Sequence, residues 1–171
     1  MNFDYKGQQA YMVWYVQNIV TSSAETIYGR EVLYRAFVEH SQKQIPMHKL
    51  MPYIYEHQAL LLNMTCQQIW DALHAMNSTL DEASIWVNIS GRLLSDGLLF
   101  EQLWSNSLQS ITLKQKVRLV LQVCEDSISA SEVIGRVRFL RDHNFVIAMD
   151  DFGFGHSNLV RLLSTDFDII K

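Results

Sequence analysis

The chain has little of what marks several protein classes. Its two cysteines, Cys66 and Cys124, lie far apart in apolar stretches and form no CxxC pair. That argues against a zinc knuckle or a disulfide framework and leaves two buried, reduced thiols as the expectation. Only two prolines occur, Pro46 and Pro52, both expected where a loop enters a helix. Basic residues are few, 14 Lys and Arg against 18 Asp and Glu, for a net charge of −4. A duplex nucleic-acid partner is therefore not expected, although one or two arginines suffice to hold a small anionic nucleotide. No apolar run approaches the ~20 residues that cross a bilayer, and the start Met1-Asn2-Phe3-Asp4-Tyr5-Lys6 lacks a signal peptide's basic and apolar regions. No membrane association and a cytoplasmic location are the expectation. The six histidines show no HxH or HxxxH spacing, and Gly153-Phe154-Gly155 lacks the Gly-Lys-Ser/Thr ending of a phosphate loop.

What is present suits one folded domain. The 171 residues are 49% apolar and 19% charged, with no internal repeat or low-complexity linker. Residues 1–11 read as an N-terminal extension and 12–171 as the domain. Met12 to Val20 is rich in β-branched and aromatic residues and reads as a strand, as does Thr26 to Phe37. Helical spacing follows from Leu50 to Met64, then through Ile69, Leu73 and Met76 as a second helix. Later come the short runs Ile85-Trp86-Val87, Val117 to Val123, Phe145 to Met149 and Phe167 to Lys171. Helical patterns separate them around Leu93 to Leu103, from Ser129 or Ser131 to Leu140, and near Leu159 to Leu163. The later strands are continuously apolar, the signature of a parallel sheet covered by helices. The tryptophans Trp14, Trp70, Trp86 and Trp104 fall in apolar patterns and are expected in the core.

Polar residues collect at the ends of these runs: Glu31, Asn88, Glu125 and the pair Asp150-Asp151, with Lys171 closing the next. Residues at the carboxyl ends of parallel strands converge on one face, where barrel enzymes place their active sites. Several carboxylates together stay ionised only beside cations, and an oxygen-rich set of this kind suits Mg²⁺ or Mn²⁺. Asn88 would be a neutral oxygen ligand. Adjacent aspartates can bridge two ions ~3.5–4 Å apart, with Asp150 reaching both and Asp151 the second. Lys171 would orient the attacking water or neutralise developing charge. The same residues are compatible with scattered structural polars, since a lone strand-end Glu is commonly a rim residue and Asp-Asp-Phe-Gly a turn.

The combination resembles the EAL family of cyclic di-GMP phosphodiesterases. Gly29-Arg30-Glu31-Val32-Leu33-Tyr34-Arg35 resembles the segment that names the family, with Val32 where Ala is usual. Val16-Gln17-Asn18-Ile19-Val20 is similar to its first strand, with Asn18 in place of Pro. Val87-Asn88-Ile89-Ser90 is similar to Val-Asn-Leu-Ser, and Gln122-Val123-Cys124-Glu125 matches Glu-Leu-Thr-Glu at its last position. Asp150 to Leu159 closely matches the most specific motif, and Asp168 and Lys171 fit Pro-Val-Asp-x-Leu-Lys.

The resemblance implies a TIM-type (β/α) barrel whose first strand can be antiparallel. It implies hydrolysis of cyclic di-GMP to the linear dinucleotide pGpG at a two-metal site. Glu31, Asn88, Glu125 and Asp150 would hold the first ion and Asp150 with Asp151 the second. Lys171 would contact the nucleophilic water, making Glu31, Asp151 and Lys171 the catalytic set. Gln17 and Arg35 would engage the nucleotide, Arg35 through a phosphate. The turn Gly153 to Asn158 would serve homodimerisation. A (β/α)₈ barrel typically takes about 250 residues, so an incomplete barrel of about six strands is expected. The alternatives are an EAL-like binding or regulatory protein without catalysis, favoured by Val32, Gln122 and Cys124, and a non-functional fragment.

Overall fold

A computed structural model describes residues 1–21, 26–78, 82–124, 131–150 and 167–171, with Cys124 and Asp150 described by their backbone. The chain opens with an antiparallel meander: β1 (Asn2–Tyr5), β2 (Gln8–Val20), β3 (Ile27–Val38) and the short β4 (Gln44–Ile45). Residues 1–11, read from sequence as an extension, are thus paired into the sheet. The β1–β2 turn rests on Lys6 and Gly7, both at positive φ, with the Asp4 carboxylate accepting from the Gly7 N–H. Two consecutive positive-φ residues give a hairpin turn whose twist suits the flanking strands.

From β3 the connection changes. Helices α1 (Met47–Glu56) and α2 (Gln58–Ser78) lead to β5 (Ser84–Ile89), which pairs with β3 in parallel. The break between these helices falls at His57, not after Met64 as the periodicity suggests. There the backbone leaves the helical region, and the His57 N–H donates to the Ile54 carbonyl. Pro52 lies inside α1 and not at its entrance; Pro46 is the residue that caps it. Next come α3 (Gly91–Ser95), α4 (Gly97–Leu103), a π turn (Trp104–Leu108) and α5 (Leu113–Lys116), and then β6 (Leu119–Cys124). Helix α6 (Ser131–Asp142) precedes β7 (Val146–Asp150), and β8 (Ile169–Ile170) follows in register beside it. The expected helix near Leu159–Leu163 lies outside the described residues.

Local chemistry explains the sharp changes of direction. Ser90, two residues past Asn88, caps α3 by accepting from the Arg92 N–H, and Asp96 caps α4 through the Leu99 N–H. Helix α6 ends with Asn144 at positive φ. The Phe145 N–H donates to the Leu140 carbonyl and the Asn144 N–H to that of Arg141. This is a Schellman termination, with Leu140 and Phe145 both buried. It turns the chain directly into β7.

The sheet order is β1-β2-β3-β5-β6-β7-β8, with β4 alongside β3. Parallel pairing runs from β3 through β8, giving the expected α/β architecture with an antiparallel first strand. On one face Val32, Ile85, Val87, Leu121, Val123 and Ile147 pack with the helices into the main core. On the other, Trp86, Val120 and Ala148 form a second cluster flanked by Ile19, Val146 and Ile169. Burial on both faces is why these strands read as unbroken apolar runs. Two tryptophans depart from expectation: Trp14 is 43% and Trp70 60% exposed, while Trp86 is buried. Cys66 is half-buried.

Helix α2 is tied to β3 by polar contacts as well as packing. The Gln68 amide donates to the Val32 carbonyl at 2.7 Å, and the Tyr34 hydroxyl to Asp71 at 2.7 Å. Burial first, then the hydrogen bond and the charge of Asp71, push the Tyr34 phenol far above the ordinary tyrosine range. The folded chain therefore retains a proton that the unfolded chain releases near pH ~10. The stability this contributes is intact below about pH 10 and is lost as pH rises beyond it. Urea midpoints should accordingly fall more steeply above about pH 10 in the parent chain than in Tyr34→Phe. Parallel pH profiles for the two would refute this.

Candidate active site

Strand register decides which side chains meet. Glu31 is the ladder partner of Trp86, Asn88 of Gln122, and Gln122 of Ala148. Side chains two apart on a strand share a face, so Glu31, Asn88 and Gln122 stand on the face that carries Trp86, Val120 and Ala148. Lys171, two residues past Ile169, takes the same parity. The inner face is thus layered along the strands. An apolar floor of Trp86, Val120 and Ala148 lies below a polar layer toward the carboxyl ends.

Glu31 is the centre of that polar layer. It is 8% exposed, and its Oε2 accepts from Lys171 Nζ at 2.8 Å. Its Oε1 accepts from Asn88 Nδ2 at 3.2 Å and from Gln122 Nε2 at 3.4 Å. Gln122 Nε2 lies equally 3.4 Å from Asn88 Oδ1. An ionised carboxylate only accepts, so both amides present N–H to it. Asn88 is open to solvent while Gln122 is 1% exposed.

The Glu31–Lys171 contact also reports the shape of the sheet. Four strand steps of ~4.8 Å would separate β3 from β8 by ~19 Å if the sheet were flat. The two side chains together extend only about 10 Å. A 2.8 Å ion pair between them requires the sheet to curl toward a barrel, although no ladder among the described residues closes it. Asp168 holds β8 in place: its Oδ1 accepts from Arg141 Nη2 at 2.8 Å, and its Oδ2 from the Ile147 N–H at 2.9 Å. Lys171 is positioned three residues later.

The remaining candidates are placed as follows. Gln17 is the cross-strand partner of Glu31 on β2 and is exposed beside it. Arg35 stands two turns of the pleat further along β3, its guanidinium donating to the Tyr34 carbonyl at 2.8 Å. It lines a cleft of about 260 Å³ with Met47, Met51, Tyr55 and Ser90, which reaches Asn88 and Gln122. Arg92 stacks over Tyr55 at 4.6 Å on the wall of that cleft. Glu125, Asp151 and the turn Gly153 to Asn158 lie outside the described residues. Among the described residues no three His, Cys, Asp or Glu side chains cluster as a metal site. The donors that do converge, a carboxylate and two amide oxygens once turned, are all hard oxygen ligands and fit Mg²⁺, Mn²⁺ or Ca²⁺ in kind. Sequence reasoning did not place Gln122 and Asp168 in the site. The signal for Gln122 was a lone amide inside an otherwise apolar, doubly buried strand.

The EAL domain family matches residues 7–171. This chain belongs to the EAL family. It is 31% identical over 167 residues to the probable cyclic di-GMP phosphodiesterase PdeG of Escherichia coli K12, covering 94% of this chain and 32% of that protein. The chain thus spans about a third of that relative's length. Among solved structures it is similar to the PaMucR phosphodiesterase in complex with c-di-GMP, with TM-score 0.75 and 22% identity over 93% of this chain and 68% of that one. It is also similar to YkuI of Bacillus subtilis, a protein with an EAL domain in complex with substrate c-di-GMP and calcium. There the TM-score is 0.68 and the identity 22%, over 93% of this chain and 40% of that one. These likenesses establish the barrel-like fold of the EAL domain.

The floor beneath the polar layer depends on one glycine. A Cβ at Gly29 would lie 2.6 Å from Ser84 Oγ and 2.9 Å from Trp86 Cδ1, with the indole nitrogen nearer still. Trp86 Nε1 donates to that same Ser84 hydroxyl at 2.8 Å, so the indole cannot move without losing its partner. Gly29→Ala should cost about 1–3 kcal/mol through overpacking, read as a lower urea midpoint with altered tryptophan fluorescence. An unchanged midpoint would contradict the floor's dependence on Gly29.

Proposed function

We propose that this chain forms the catalytic site of a metal-dependent phosphodiesterase that opens cyclic di-GMP to pGpG. The observation that carries the reading is the meeting of Glu31, Asn88 and Lys171 within hydrogen-bond range, from strands 140 residues apart in sequence. Asn88 and Lys171 stand at the carboxyl ends of parallel strands, where barrel enzymes work, and Glu31 at the last rung of the β3–β5 parallel ladder. A probable cyclic di-GMP phosphodiesterase as relative, and c-di-GMP and calcium in the YkuI complex, support the same substrate and a divalent cation.

In this reading Glu31, Asn88, Glu125 and Asp150 hold a first Mg²⁺ or Mn²⁺, and Asp150 with Asp151 a second. When bound, such a pair activates water and neutralises phosphate charge. The protein's own groups do the rest. Lys171, held by Glu31, orients the water and opposes the charge that develops on the phosphodiester. Arg35 at the cleft binds a phosphate through its planar guanidinium, and Gln17 engages the nucleotide beside Glu31. The turn Gly153 to Asn158 joins two copies. No described helix is long and apolar enough to cross a membrane, and the reading places the protein in the cytoplasm.

A second reading, binding of cyclic di-GMP without turnover, is favoured by one observation. Gln122, buried in contact with Glu31, brings an amide into the cation-binding layer. Chromatographic detection of pGpG with Mg²⁺ or Mn²⁺ separates the two. The expected result is turnover that chelation abolishes and that Glu31→Gln lowers by at least about 100-fold. Turnover indifferent to both would sink the first reading. Tight binding of cyclic di-GMP with no pGpG would establish the second in its place.

A further inference from the structure

We propose that Gln122 is itself a member of the first cation site and sets its affinity for divalent ions low. The proposal rests on the reading of Glu31 and Asn88 as ligands of that ion, and it assigns a role to a residue outside that ligand set.

The geometry is specific. Gln122 Nε2 lies 3.4 Å from Glu31 Oε1 and 3.4 Å from Asn88 Oδ1, the two oxygens a cation between these residues would need. The amide nitrogen therefore stands where the ion's positive charge would act, and it satisfies both acceptors with a partial positive charge. Its neighbours on the strand, Leu121 and Val123, point into the helix-packed core. Gln122 is 1% exposed, so its side chain stays enclosed within the layer. An ion can share Glu31 and Asn88 only if the amide turns to offer oxygen in place of N–H. A neutral amide oxygen then supplies a ligand without charge. Cation affinity in oxygen sites is tuned by the number of charged ligands, and position 122 contributes none.

Lys171 acts in the same direction. Its ammonium is paired with Glu31 Oε2 at 2.8 Å, so one full positive charge already sits on the central carboxylate. A carboxylate at 122 would be poorly tolerated beside Glu31 without a cation, since like charges at this separation oppose each other's ionisation. With a cation both would be satisfied. Gln122 thus exchanges tight ion binding for a layer that is internally hydrogen-bonded.

The test is Gln122→Glu in the full chain, with Mn²⁺ as the probe and binding read by loss of the free-ion electron paramagnetic resonance signal. Mn²⁺ should bind the variant at least about tenfold more tightly than the parent. The variant should also melt lower in chelator, and Mn²⁺ should raise its melting temperature more than the parent's. Unchanged or weaker Mn²⁺ binding by the folded variant would overturn the proposal. If Gln122→Glu does not fold, Asn88→Asp places a carboxylate on the register partner at a solvent-open position. That variant should tighten Mn²⁺ binding similarly, and a failure to do so would overturn the proposal equally. Turnover is scored separately. Tighter Mn²⁺ binding with no pGpG from the parent leaves this inference standing and the catalytic reading fallen. Turnover with unchanged Mn²⁺ affinity gives the reverse.

Discussion

A nearly buried carboxylate governs this structure. Glu31 lies mid-strand in the sheet with 8% exposure, and an ionised group so placed must find partners or lose its charge. It finds them on three other strands: Asn88 from β5, Gln122 from β6 and Lys171 beside β8. No local segment could supply all three. The sheet must therefore curl far enough to bring β8 within reach of β3 across three intervening strands. The contact that satisfies a charge is also the contact that records closure toward a barrel. Asp168, clamped between Arg141 and the β7 backbone, makes this possible by fixing β8 before Lys171 leaves it.

The apolar side of the design follows from the same layering. Each parallel strand gives alternate residues to two different cores, one against helices and one inside the curl. The inner core is small and rests largely on Trp86. Such a large ring fits only because Gly29 has no side chain and Ser84 supplies a hydrogen-bond acceptor for the indole. Polar residues above that floor are thereby screened from below and open to solvent mainly at the carboxyl ends. Asn88, exposed at its strand end, and Gln122, enclosed one strand over, show how quickly that opening narrows.

Much of this was legible in the residues, and the rest failed for identifiable reasons. Doubly buried strands announce themselves as unbroken apolar runs, so β5, β6 and β7 were readable, with Asn88 as the polar residue near the end of β5 and Glu31 standing out on β3. The antiparallel start was less so. The β1–β2 hairpin turns on Lys6-Gly7, a pair with weaker turn chemistry than Asn-Gly, and residues 1–11 passed as an extension. Trp14 and Trp70 sit in apolar patterns yet face solvent, because periodicity cannot say whether a partner element covers a face. Gln122 escaped because one residue's role depended on register. Only its pairing with Asn88 shows that it meets Glu31, a relation that no linear motif encodes. Glu125 and Asp151 lie outside the described residues and stay as the sequence presents them.

The polar layer is not what a chain selected only for stability would keep. An ion pair whose lysine side chain is 37% exposed contributes little to stability, and the neighbouring strand positions show that apolar residues fit this fold. Retaining Glu31, Asn88, Gln122 and Lys171 together therefore needs another reason. Their arrangement provides one, because a carboxylate and two amides bring together the oxygens that a hard cation takes as ligands. In this layer Glu31 accepts from Lys171, Asn88 and Gln122, and a cation or a phosphate would compete for the same atoms. The cost of binding is then set by how well each internal partner is held. Of these four side chains, Gln122 is the most enclosed, at 1% exposure.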